Sequence, residues 1–437
     1  MVRKAPLAAM LAVAALAAAA GCGSNPTPAP SAATIDLTGK TVEVAATWSG
    51  TEQENFQAVL DEFAKLTKAT VKYTSGGNDL PVLLNSRLAG GAPPDVAFIP
   101  QPGVVAEFAK RGALKPLTGD AAAAVSANFS DAWKGLGTID GKLYGVYFKV
   151  ANKSVIWYRT DKFGEAGVQP PKTWDEFKTV SKTLSEAGIT PIVAAGGDGW
   201  VLTDWFENVY LRVGGPDNYD KLAKHELPWT DPTVVKALEV LADYWRTPKH
   251  VQGGPTGAVQ VTFTQSIADV FGEKPKSAML FEGDFVASEI NKLAKVKVGE
   301  GAKFFDWPSV EGSKPAVVTA GDQAVAFKDT PEAMALMAFL ASPEAAKIMA
   351  AKGGFMSANK NLDPAAYPDP TTRQLASSVV SAELLRFDLS DLTPQAFGGG
   401  TSAHMWVLLQ EFLSKPITPA ALAQLLEDAA KKDFGSN

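Results

Sequence analysis

Residues 41–99 decide the fold of this chain, and they read TVEVAATWSGTEQENFQAVLDEFAKLTKATVKYTSGGNDLPVLLNSRLAGGAPPDVAFI. Short apolar runs at 42–46, 70–73 and 95–99 predict strands, and a T-x-x-E capping box at 51–54 predicts the start of a helix after the first of them. Strands that alternate with helices in this way form a mainly parallel sheet with helices on both faces. Such a sheet binds ligands in the loops beyond the carboxyl ends of its strands.

The alternation continues through the rest of the chain. Further strands are predicted at 146–150, 155–158, 189–194, 277–281 and 324–327. A second capping box, Thr173 with Glu176, predicts a helix, and helical patterns follow at 331–340 and 343–352. A chain of 437 residues is too long for one ordinary domain of about 100–200 residues, so we expect two α/β lobes, each with its own core.

Charged residues are interspersed along the chain. The 41 Lys and Arg residues and the 47 Asp and Glu residues give a formal net charge of −6, with no long run of one sign. Nucleic-acid-binding proteins usually carry a basic patch, and this sequence has none. We therefore expect no nucleic-acid partner, and we expect a monomer.

The N-terminus has the pattern of a secretory signal at 1–21. Arg3 and Lys4 precede an uncharged apolar run at 7–20, and small residues follow. The run is shorter than the roughly 20 residues that a transmembrane helix needs. No other stretch of the sequence is long and apolar enough to predict a transmembrane segment.

Cys22 is the only cysteine, and it stands directly after this signal. The tetrapeptide Ala19-Ala20-Gly21-Cys22 resembles a bacterial lipobox, in which the cysteine is lipidated and becomes the new N-terminus. Acyl chains would anchor the protein to a membrane, on the outer face of the cytoplasmic membrane. Residues 22–37, rich in Pro, Ser, Thr and Ala, would form a flexible tether. The alternative is an ordinary signal peptide in which Cys22 is incidental.

Motifs for metal, nucleotide or nucleophile chemistry are missing from the sequence. His225, His250 and His404 lack ligand spacing, and there is no G-x-S-x-G motif. Gly39-Lys40-Thr41 resembles the end of a P-loop, but the required upstream glycine is Thr34. We expect no metal, no cofactor and no catalytic residues. A glycosidase carboxylate pair stays open, because its separation cannot be read from a sequence.

Several aromatic residues stand beside polar residues or glycine in or near predicted loops: Trp48, Trp200, Trp205, Phe285 and Trp406. Sugar rings have apolar faces and polar edges, so a sugar site combines flat aromatics with a few fixed polar groups. Trp48 is the best placed, because it ends the first strand and precedes a predicted helix. Trp174 and Trp245 lie on apolar helical faces and are expected in the core.

Short segments spread over the chain carry a family resemblance. They are GGAPPDV at 90–96, LYGV at 143–146, IWY at 156–158, DKF at 161–163, PKTWDEF at 171–177, SAMLFEGDF at 277–285 and GGFMS at 353–357. Together they resemble the family 1 extracellular solute-binding proteins of carbohydrate ABC importers, the group that includes the maltose-binding proteins. The resemblance covers nearly the whole mature chain and is strongest to binders of α-glucosides.

The resemblance implies a two-lobe, type II periplasmic-binding-protein fold with an interlobe ligand cleft and a three-crossing hinge. The first lobe would hold residues 38–148 and 282–322, and the second lobe would hold 149–281 and 323–437. The lobes would close on a sugar, an α-glucoside or small oligosaccharide, and the transmembrane subunits of the importer would recognise the closed form. Binding of this kind needs no enzymatic step.

The resemblance and the loop chemistry together predict the ligand contacts. They are Trp48, Glu52, Asn78, Asp79, Gln101, Trp200, Asp204, Asp284, Phe285, Asp322 and Trp406. Two positions depart from the family pattern. The usual Gly-x-Trp of the ligand loop is Gly283-Asp284-Phe285, and the usual Asn after the tyrosine of a second-lobe strand is Arg159. The identity of the ligand therefore stays open.

Other functions are compatible with the same residues. A secreted glycoside hydrolase also grips sugars with tryptophan and carboxylates, and a binding protein could take a phosphodiester, a polyamine or a peptide. A polyamine site needs clustered carboxylates, and a phosphodiester site needs cationic or N–H donors. The aromatic-rich loops favour a sugar.

Overall fold

The computed structural model describes residues 35–293, 295–380 and 382–435. The predicted signal peptide, Cys22 and all but the last residues of the predicted tether lie outside this part of the chain. The strands of the described residues are β1 (Thr41–Ala46), β2 (Thr70–Ser75), β3 (Val96–Ile99), β4 (Thr138–Ile139), β5 (Lys142–Leu143), β6 (Gly145–Asn152), β7 (Val155–Arg159), β8 (Thr190–Val193), β9 (Ser277–Phe281), β10 (Ala302–Asp306), β11 (Val317–Ala326) and β12 (Leu385–Phe387).

Helices surround these strands. They are α1 (Gly50–Thr67), α2 (Leu80–Ala89), α3 (Pro102–Lys110), α4 (Gly119–Asn128), α5 (Asp131–Leu136), α6 (Thr160–Ala166), α7 (Trp174–Glu186), α8 (Trp200–Val213), α9 (Gly215–Ala223), α10 (Pro232–Trp245), α11 (Gly254–Ala258), α12 (Phe263–Phe271), α13 (Val286–Leu293), α14 (Pro331–Leu340), α15 (Pro343–Ala350), α16 (Pro370–Val380), α17 (Leu389–Leu392), α18 (Gln395–Gly398), α19 (His404–Ser414) and α20 (Pro419–Phe434).

The first lobe, as we use the term, is built on β1, β2 and β3. These strands belong to a 6-stranded sheet of order β12-β11-β3-β1-β2, in which β6 also pairs with β11. β1 runs parallel to both β2 and β3, as the alternation predicted. All four residues of β3 are buried, because helices cover both faces of the sheet. Phe56 and Phe63 on α1 fill the core against one face.

The second lobe is built on a 4-stranded sheet of order β10-β7-β9-β8. β8 and β9 are parallel, and β7 is antiparallel to both β9 and β10. Trp174 and Trp245 are buried in its core, as predicted. Trp205, which the sequence suggested for a ligand loop, is wholly buried on α8 with its ring 5.1 Å from that of Trp307. It therefore belongs to the core.

Two long strands join the lobes. Val146 on β6 and Ala324 on β11 pack in the core of the first lobe, whereas Val150 and Ala320 pack in the cluster around Trp157 of the second lobe. The chain crosses a third time between residue 367, buried in the first core, and residue 389, buried in the second. These crossings form the hinge.

The pairing of β6 with β11 is irregular at the centre of the hinge. Asp322 pairs with Lys149 and Gln323 pairs with Tyr147, so the register shifts between Asp322 and Gln323. A β-bulge of this kind bends the strands locally and redirects their side chains. The bulge lies at the position where the side chains of Lys149 and Asp322 line the space between the lobes.

The predicted division of the chain into lobes needs correction in several segments. Residues 285–290 and 302–306 were assigned to the first lobe by the division 38–148 plus 282–322. Phe285 and α13 instead pack in the cluster around Trp157 of the second lobe, and β10 pairs with β7 of the second sheet. Helices α14 and α15, with Phe355 and Tyr367 after them, were assigned to the second lobe by the division 149–281 plus 323–437 but pack in the core of the first lobe. The physical reason is their apolar content, since Phe339 packs 5.8 Å from Phe63.

The two predicted capping boxes have different outcomes. The Thr173 hydroxyl accepts a hydrogen bond from the backbone N–H of Glu176, and the Glu176 carboxylate accepts one from the backbone N–H of Thr173. This predicted box is therefore confirmed. The box at 51–54 is wrong. Ser49 is the N-cap of α1, with no side-chain cap bond, so Thr51 already lies in the first turn.

Among the described residues, no single helix has the length and apolar character needed to cross a membrane. The bent pair α14 and α15 meets that test only when the two helices are taken together.

Candidate functional site

A cavity of about 720 Å³ lies between the lobes, where β1 and β3 end. Trp48 follows β1, Gln101 follows β3, and Asp322 reaches the cavity from the hinge strand β11. The position is the one predicted for a mainly parallel sheet, beyond the carboxyl ends of its strands. The volume lies within the roughly 300–1,000 Å³ that small-molecule sites occupy.

Most of the residues predicted as ligand contacts line this cavity. They come from both lobes and from the hinge, and they are Trp48, Glu52, Asn78, Gln101, Trp200, Phe285, Asp322 and Trp406.

Three predicted contacts, Asp79, Asp204 and Asp284, do not line the cavity. Asp79 is exposed and lines a neighbouring groove. Asp204 is buried on α8, where its carboxylate lies 3.1 Å from Lys153 Nζ. Asp284 is buried and accepts the backbone N–H of Asn152 at 2.7 Å. The two buried carboxylates are bonded within the protein, so the structure does not place them as direct contacts.

Aromatic rings line the cavity from both lobes. On the first-lobe side, the centroid of the Trp48 ring lies 4.9 Å from that of Phe98, which fixes the indole against the core. On the second-lobe side, Trp200 lies 5.5 Å from Phe263 and 6.2 Å from Phe285. The two lobes therefore both provide flat apolar surface that can pack against a ring-shaped ligand.

Trp406 lies against Gly199 at the wall of the cavity. Gly199 has a φ of 76°, and a Cβ there would be 2.9 Å from Trp406 Cβ, so both the backbone and the contact require glycine. The indole N–H of Trp406 and the amide oxygen of Gln101 are buried and have no hydrogen-bond partner among the described residues. Both residues line the cavity, and buried polar groups are normally bonded, so these two atoms lack the partner that such groups usually have.

Lys149 joins two carboxylates at the hinge, and we call Glu52, Lys149 and Asp322 the Lys149 group. Lys149 Nζ is bonded to Glu52 and lies 3.9 Å from Asp322. It also lies 5.6 Å from the centroid of Trp48 and 5.0 Å from that of Phe285. Burial alone would lower the pKa of Lys149, but the charges of Glu52 and Asp322 outweigh it and raise that pKa.

Lys153 forms a second buried ion-pair group. Its Nζ lies 3.1 Å from Asp204 and 2.6 Å from Asp388, and 5.1 Å from the centroid of the Trp200 ring. Burial would lower the pKa of Lys153, but the neighbouring carboxylates raise it well above its usual range. The group therefore supports the wall that carries Trp200.

Asp204, Glu207 and Asp388 place ligand atoms within 4.8 Å of one another, as a metal site would. Their hydrogen bonds indicate an internal network instead. Lys153 donates to Asp204 and Asp388, and Glu207 accepts the backbone N–H of Ser390 at 2.9 Å. Since a lysine and backbone donors already match these carboxylates, their chemistry fits an ion-pair network better than a metal centre.

Direct bonds also connect the lobes across the cleft. Asn78 Nδ2 donates to Asp198 Oδ1 at 3.0 Å, and Lys292 on α13 pairs with Glu54 on α1 at 2.9 Å. The backbone N–H of Gln395 donates to Glu107 Oε1 at 2.8 Å. The lobes are therefore close enough to contact each other through side chains.

The raised pKa values of two buried carboxyls predict a pH-dependent stability. Burial raises the pKa of Asp284 to about 7 and that of Asp322 to about 6. The folded protein therefore binds protons that the unfolded chain, with a pKa of about 3.9, releases. The resulting stabilisation is complete below about pH 4 and is lost as the pH rises through the folded values.

Urea unfolding of the ligand-free protein at about pH 8, 7 and 6 should show this effect. The free energy of unfolding should rise toward acid pH by about 1.4 kcal/mol per pH unit for each proton taken up. Asp284→Asn should reduce the slope, whereas the exposed control Asp217→Asn should not. A free energy that is constant over this range would contradict the prediction.

Sequence reasoning missed other residues of the cavity wall, including Lys149, Lys153, Asp198 and Phe263. For the two lysines a signal was available, because both interrupt the apolar stretch 146–158. A lysine in a buried strand is rare unless it is paired. Asp198 lies in a short turn before α8 and Phe263 begins α12, and no pattern in the sequence marks either of them as a cavity residue.

Comparison with known proteins gives the family of the chain. Residues 47–347 match the family described as bacterial extracellular solute-binding proteins. The chain belongs to this family. The resemblance stated from the sequence is thereby confirmed, and so is the expectation of a binding protein rather than an enzyme.

Two relatives of this solute-binding protein align over most of its length. It is 34% identical over 369 residues to the osmoprotective compounds-binding protein GgtB of Synechocystis sp., covering 83% of this chain and 86% of that protein. It is 33% identical over 393 residues to the alpha-glucosides-binding periplasmic protein AglE of Rhizobium meliloti, covering 86% and 84%.

Solved structures share the fold of this solute-binding protein at low sequence identity. A chitin oligosaccharide binding protein superposes with a TM-score of 0.78 at 21% identity, covering 90% of this chain and 99% of that chain. The predicted two-lobe, type II fold is confirmed.

Proposed function

We propose that this solute-binding protein captures a sugar, an α-glucoside or small oligosaccharide, and delivers it unaltered to the transmembrane subunits of an ABC importer. The observation that carries the proposal is the cavity wall, where Trp48 faces the ligand space from one lobe and Trp200 and Phe285 face it from the other. Sugar rings offer apolar C–H faces to such aromatics.

Polar groups for the hydroxyls of a sugar lie between these rings. Glu52 and Asp322 provide carboxylate acceptors, and Asn78 and Gln101 provide amides. The buried indole N–H of Trp406 adds a donor without another partner among the described residues. Vicinal hydroxyls are both donors and acceptors, so a mixed set of this kind suits them.

The names of the relatives support the ligand class. AglE is named for alpha-glucosides and GgtB for osmoprotective compounds. Both align with more than four fifths of this chain. The α-glucoside is therefore the first ligand to test.

Lobe closure would convert binding into a signal to the importer. A ligand held by Trp48 from one lobe and Trp200 from the other favours the closed form, because only that form offers both contacts. Bonds such as Asn78 to Asp198 would add to closure. The lipobox at Cys22 and the tether at 22–37 would hold the monomer at the outer face of the cytoplasmic membrane.

A thermal-shift screen tests the proposal. The panel contains maltose, trehalose, sucrose and maltotriose as neutral sugars, and sn-glycerol 3-phosphate and spermidine as charged alternatives. A neutral sugar at 100 times its dissociation constant should add about 2.7 kcal/mol of stability. The sugar should be recovered intact by chromatography after incubation. The proposal fails if none of the sugars stabilises the protein, or if the bound sugar is cleaved.

A further inference from the structure

The Lys149 group combines charges from three parts of the molecule. Glu52 comes from α1 of the first lobe, Lys149 from β6 and Asp322 from β11, the two long hinge strands. The Lys149 side chain is only 6% exposed, and the rings of Trp48 and Phe285 lie beside its ammonium group. All five residues line the cavity. The group is therefore part of the ligand-binding surface and not only of the hinge.

A buried ion pair is a weak source of stability. The free energy needed to remove the two charges from water is about as large as the free energy gained from their attraction. Apolar residues of similar size in the same place often give the same stability. An ion pair in the cavity wall thus calls for a role in binding. Ionised carboxylates accept hydrogen bonds from hydroxyls more strongly than neutral acids do, and they need a nearby cation to stay ionised when buried.

Among the residues that the structure describes, each lysine that lines the cavity is paired with carboxylates of the protein. Lys149 is paired with Glu52 and Asp322, Lys153 with Asp204 and Asp388, and Lys292 with Glu54. An anionic ligand would have to compete with these carboxylates, and a cationic ligand would meet the lysines. Asp198, Glu289 and Asp391 also line the cavity; Asp198 accepts hydrogen bonds from Asn78 and from the backbone N–H of Phe263, and burial raises the pKa of Asp391, which favours its neutral form. The wall is therefore suited to a ligand without net charge.

We propose that Lys149 is the positioning residue that holds Glu52 and Asp322 as aligned, ionised acceptors for ligand hydroxyls, and that it restricts the ligand to uncharged polyhydroxyl compounds. The inference rests on the proposed sugar-binding function. It assigns the restriction to the paired charges of the wall rather than to the size of the cavity.

The charges around Asp322 set the pH at which the acceptor is lost. Burial raises the pKa of Asp322 to about 6, Lys149 opposes the rise, and Glu52 adds to it. Other titratable groups that act on Asp322 or are acted on by it are Tyr147 on β6, Lys153 directly after β6, Tyr73 on β2 and Asp391 on α17. Asp284, whose pKa burial raises to about 7, acts on Lys149 and is influenced by Glu52. Removing Lys149 leaves the buried Asp322 and the partly buried Glu52 without the cation that they share. The acid loss of affinity should then begin at higher pH.

The test compares Lys149→Met, Lys149→Arg and the wild type by isothermal titration calorimetry, from about pH 5 to about pH 8.5. The ligand is whichever of maltose, trehalose or sucrose binds the wild type. Lys149→Met should weaken binding by about 10-fold or more at pH 7, as expected for a lost charge-assisted bond. It should also raise the pH at which affinity begins to fall on acidification, which we call the acid limb, by about one pH unit or more. Lys149→Arg should keep the limb of the wild type.

The control is Lys303→Met, which removes an exposed lysine from β10. It should change neither affinity nor the pH profile. A Lys149→Met protein whose affinity falls equally at every pH, with the limb unmoved, would show a merely structural role and overturn the proposal. If Lys149→Met does not fold, Lys149→Gln combined with Asp322→Asn removes opposite charges together. That variant should bind without the acid limb, and a retained limb overturns the proposal.

The charge restriction has its own readout. The wild type should show no binding of sn-glycerol 3-phosphate, spermidine or trehalose 6-phosphate at concentrations that saturate it with a neutral sugar. Tighter binding of any charged probe than of all neutral sugars overturns the restriction. Failure of every probe, neutral and charged, instead refutes the proposed sugar-binding function.

Discussion

Replacing Lys153 with methionine is expected to lower the free energy of unfolding by about 3–5 kcal/mol, the cost of removing one partner from a buried ion pair. Lys153 lies between Asp204 and Asp388, and both carboxylates are almost fully buried. Without the ammonium group they face each other in a medium of low polarity. They must then remain unpaired or take up protons.

The measurement is urea unfolding of the ligand-free protein, followed by tryptophan fluorescence. Lys182→Met is the matched control, because its 3.8 Å pair with Glu186 is exposed and such pairs contribute at most about 1 kcal/mol. Lys153→Arg keeps the charge and should lose less than Lys153→Met. A Lys153→Met protein as stable as the control would show that the buried carboxylates do not depend on this lysine.

The strands were predictable because buried strands of α/β lobes form short, nearly continuous apolar runs. The runs at 42–46, 95–99 and 277–281 all form strands. Helix α7 was equally readable, since its capping box is local and needs no distant partner. These local patterns were therefore predicted correctly, whereas the capping box at 51–54 was not, because α1 begins before Thr51.

The lobe boundaries were not predictable in the same way. β10 could have paired with either sheet. It pairs with β7, so that Ala302 lies opposite Arg159, 302 − 159 = 143 positions away in the chain. No local sequence pattern can predict a pairing over such a distance. Helices α14 and α15 are apolar on most sides, so their pattern does not say which core they fill.

The residues of the site show the same contrast between features set by local sequence and features set by tertiary contacts. Trp48 and Gln101 were found because they follow strands, where a mainly parallel sheet binds ligands. Asp204 was misplaced because it lies on the inner face of α8, where Lys153 binds it. Recognising that pair requires knowing that β6, the hinge and α8 meet, which is a property of the tertiary structure.

The paired lysines and the aromatic rings have different roles in the cleft. Lys149 and Lys153 orient carboxylates and support the walls, whereas the rings of Trp48 and Trp200 offer the apolar surface. Stability should therefore respond most to Lys153. Affinity should respond most to the ring that is least engaged in the core.

Trp200 is that ring, and Trp200→Ala is expected to weaken the binding of a neutral sugar by about 2–4 kcal/mol, or roughly 30- to 1,000-fold. Trp200 is only partly buried, and it stands at the start of α8 facing the cavity. Its removal takes away aromatic surface of the second lobe and leaves an apolar C–H face of the sugar in contact with water. The fold should tolerate the change, because the core of α8 depends on Trp205 instead.

Titration calorimetry with maltose, trehalose and sucrose measures the loss, and urea unfolding checks the fold. Trp133→Ala is the matched control, since Trp133 is also partly buried and packs on Tyr147 with ring centroids 5.3 Å apart, but does not line the cavity. It should keep the affinity of the wild type. Equal losses of affinity in the two variants would place the ligand away from Trp200, because only a ligand stacked on that ring distinguishes them.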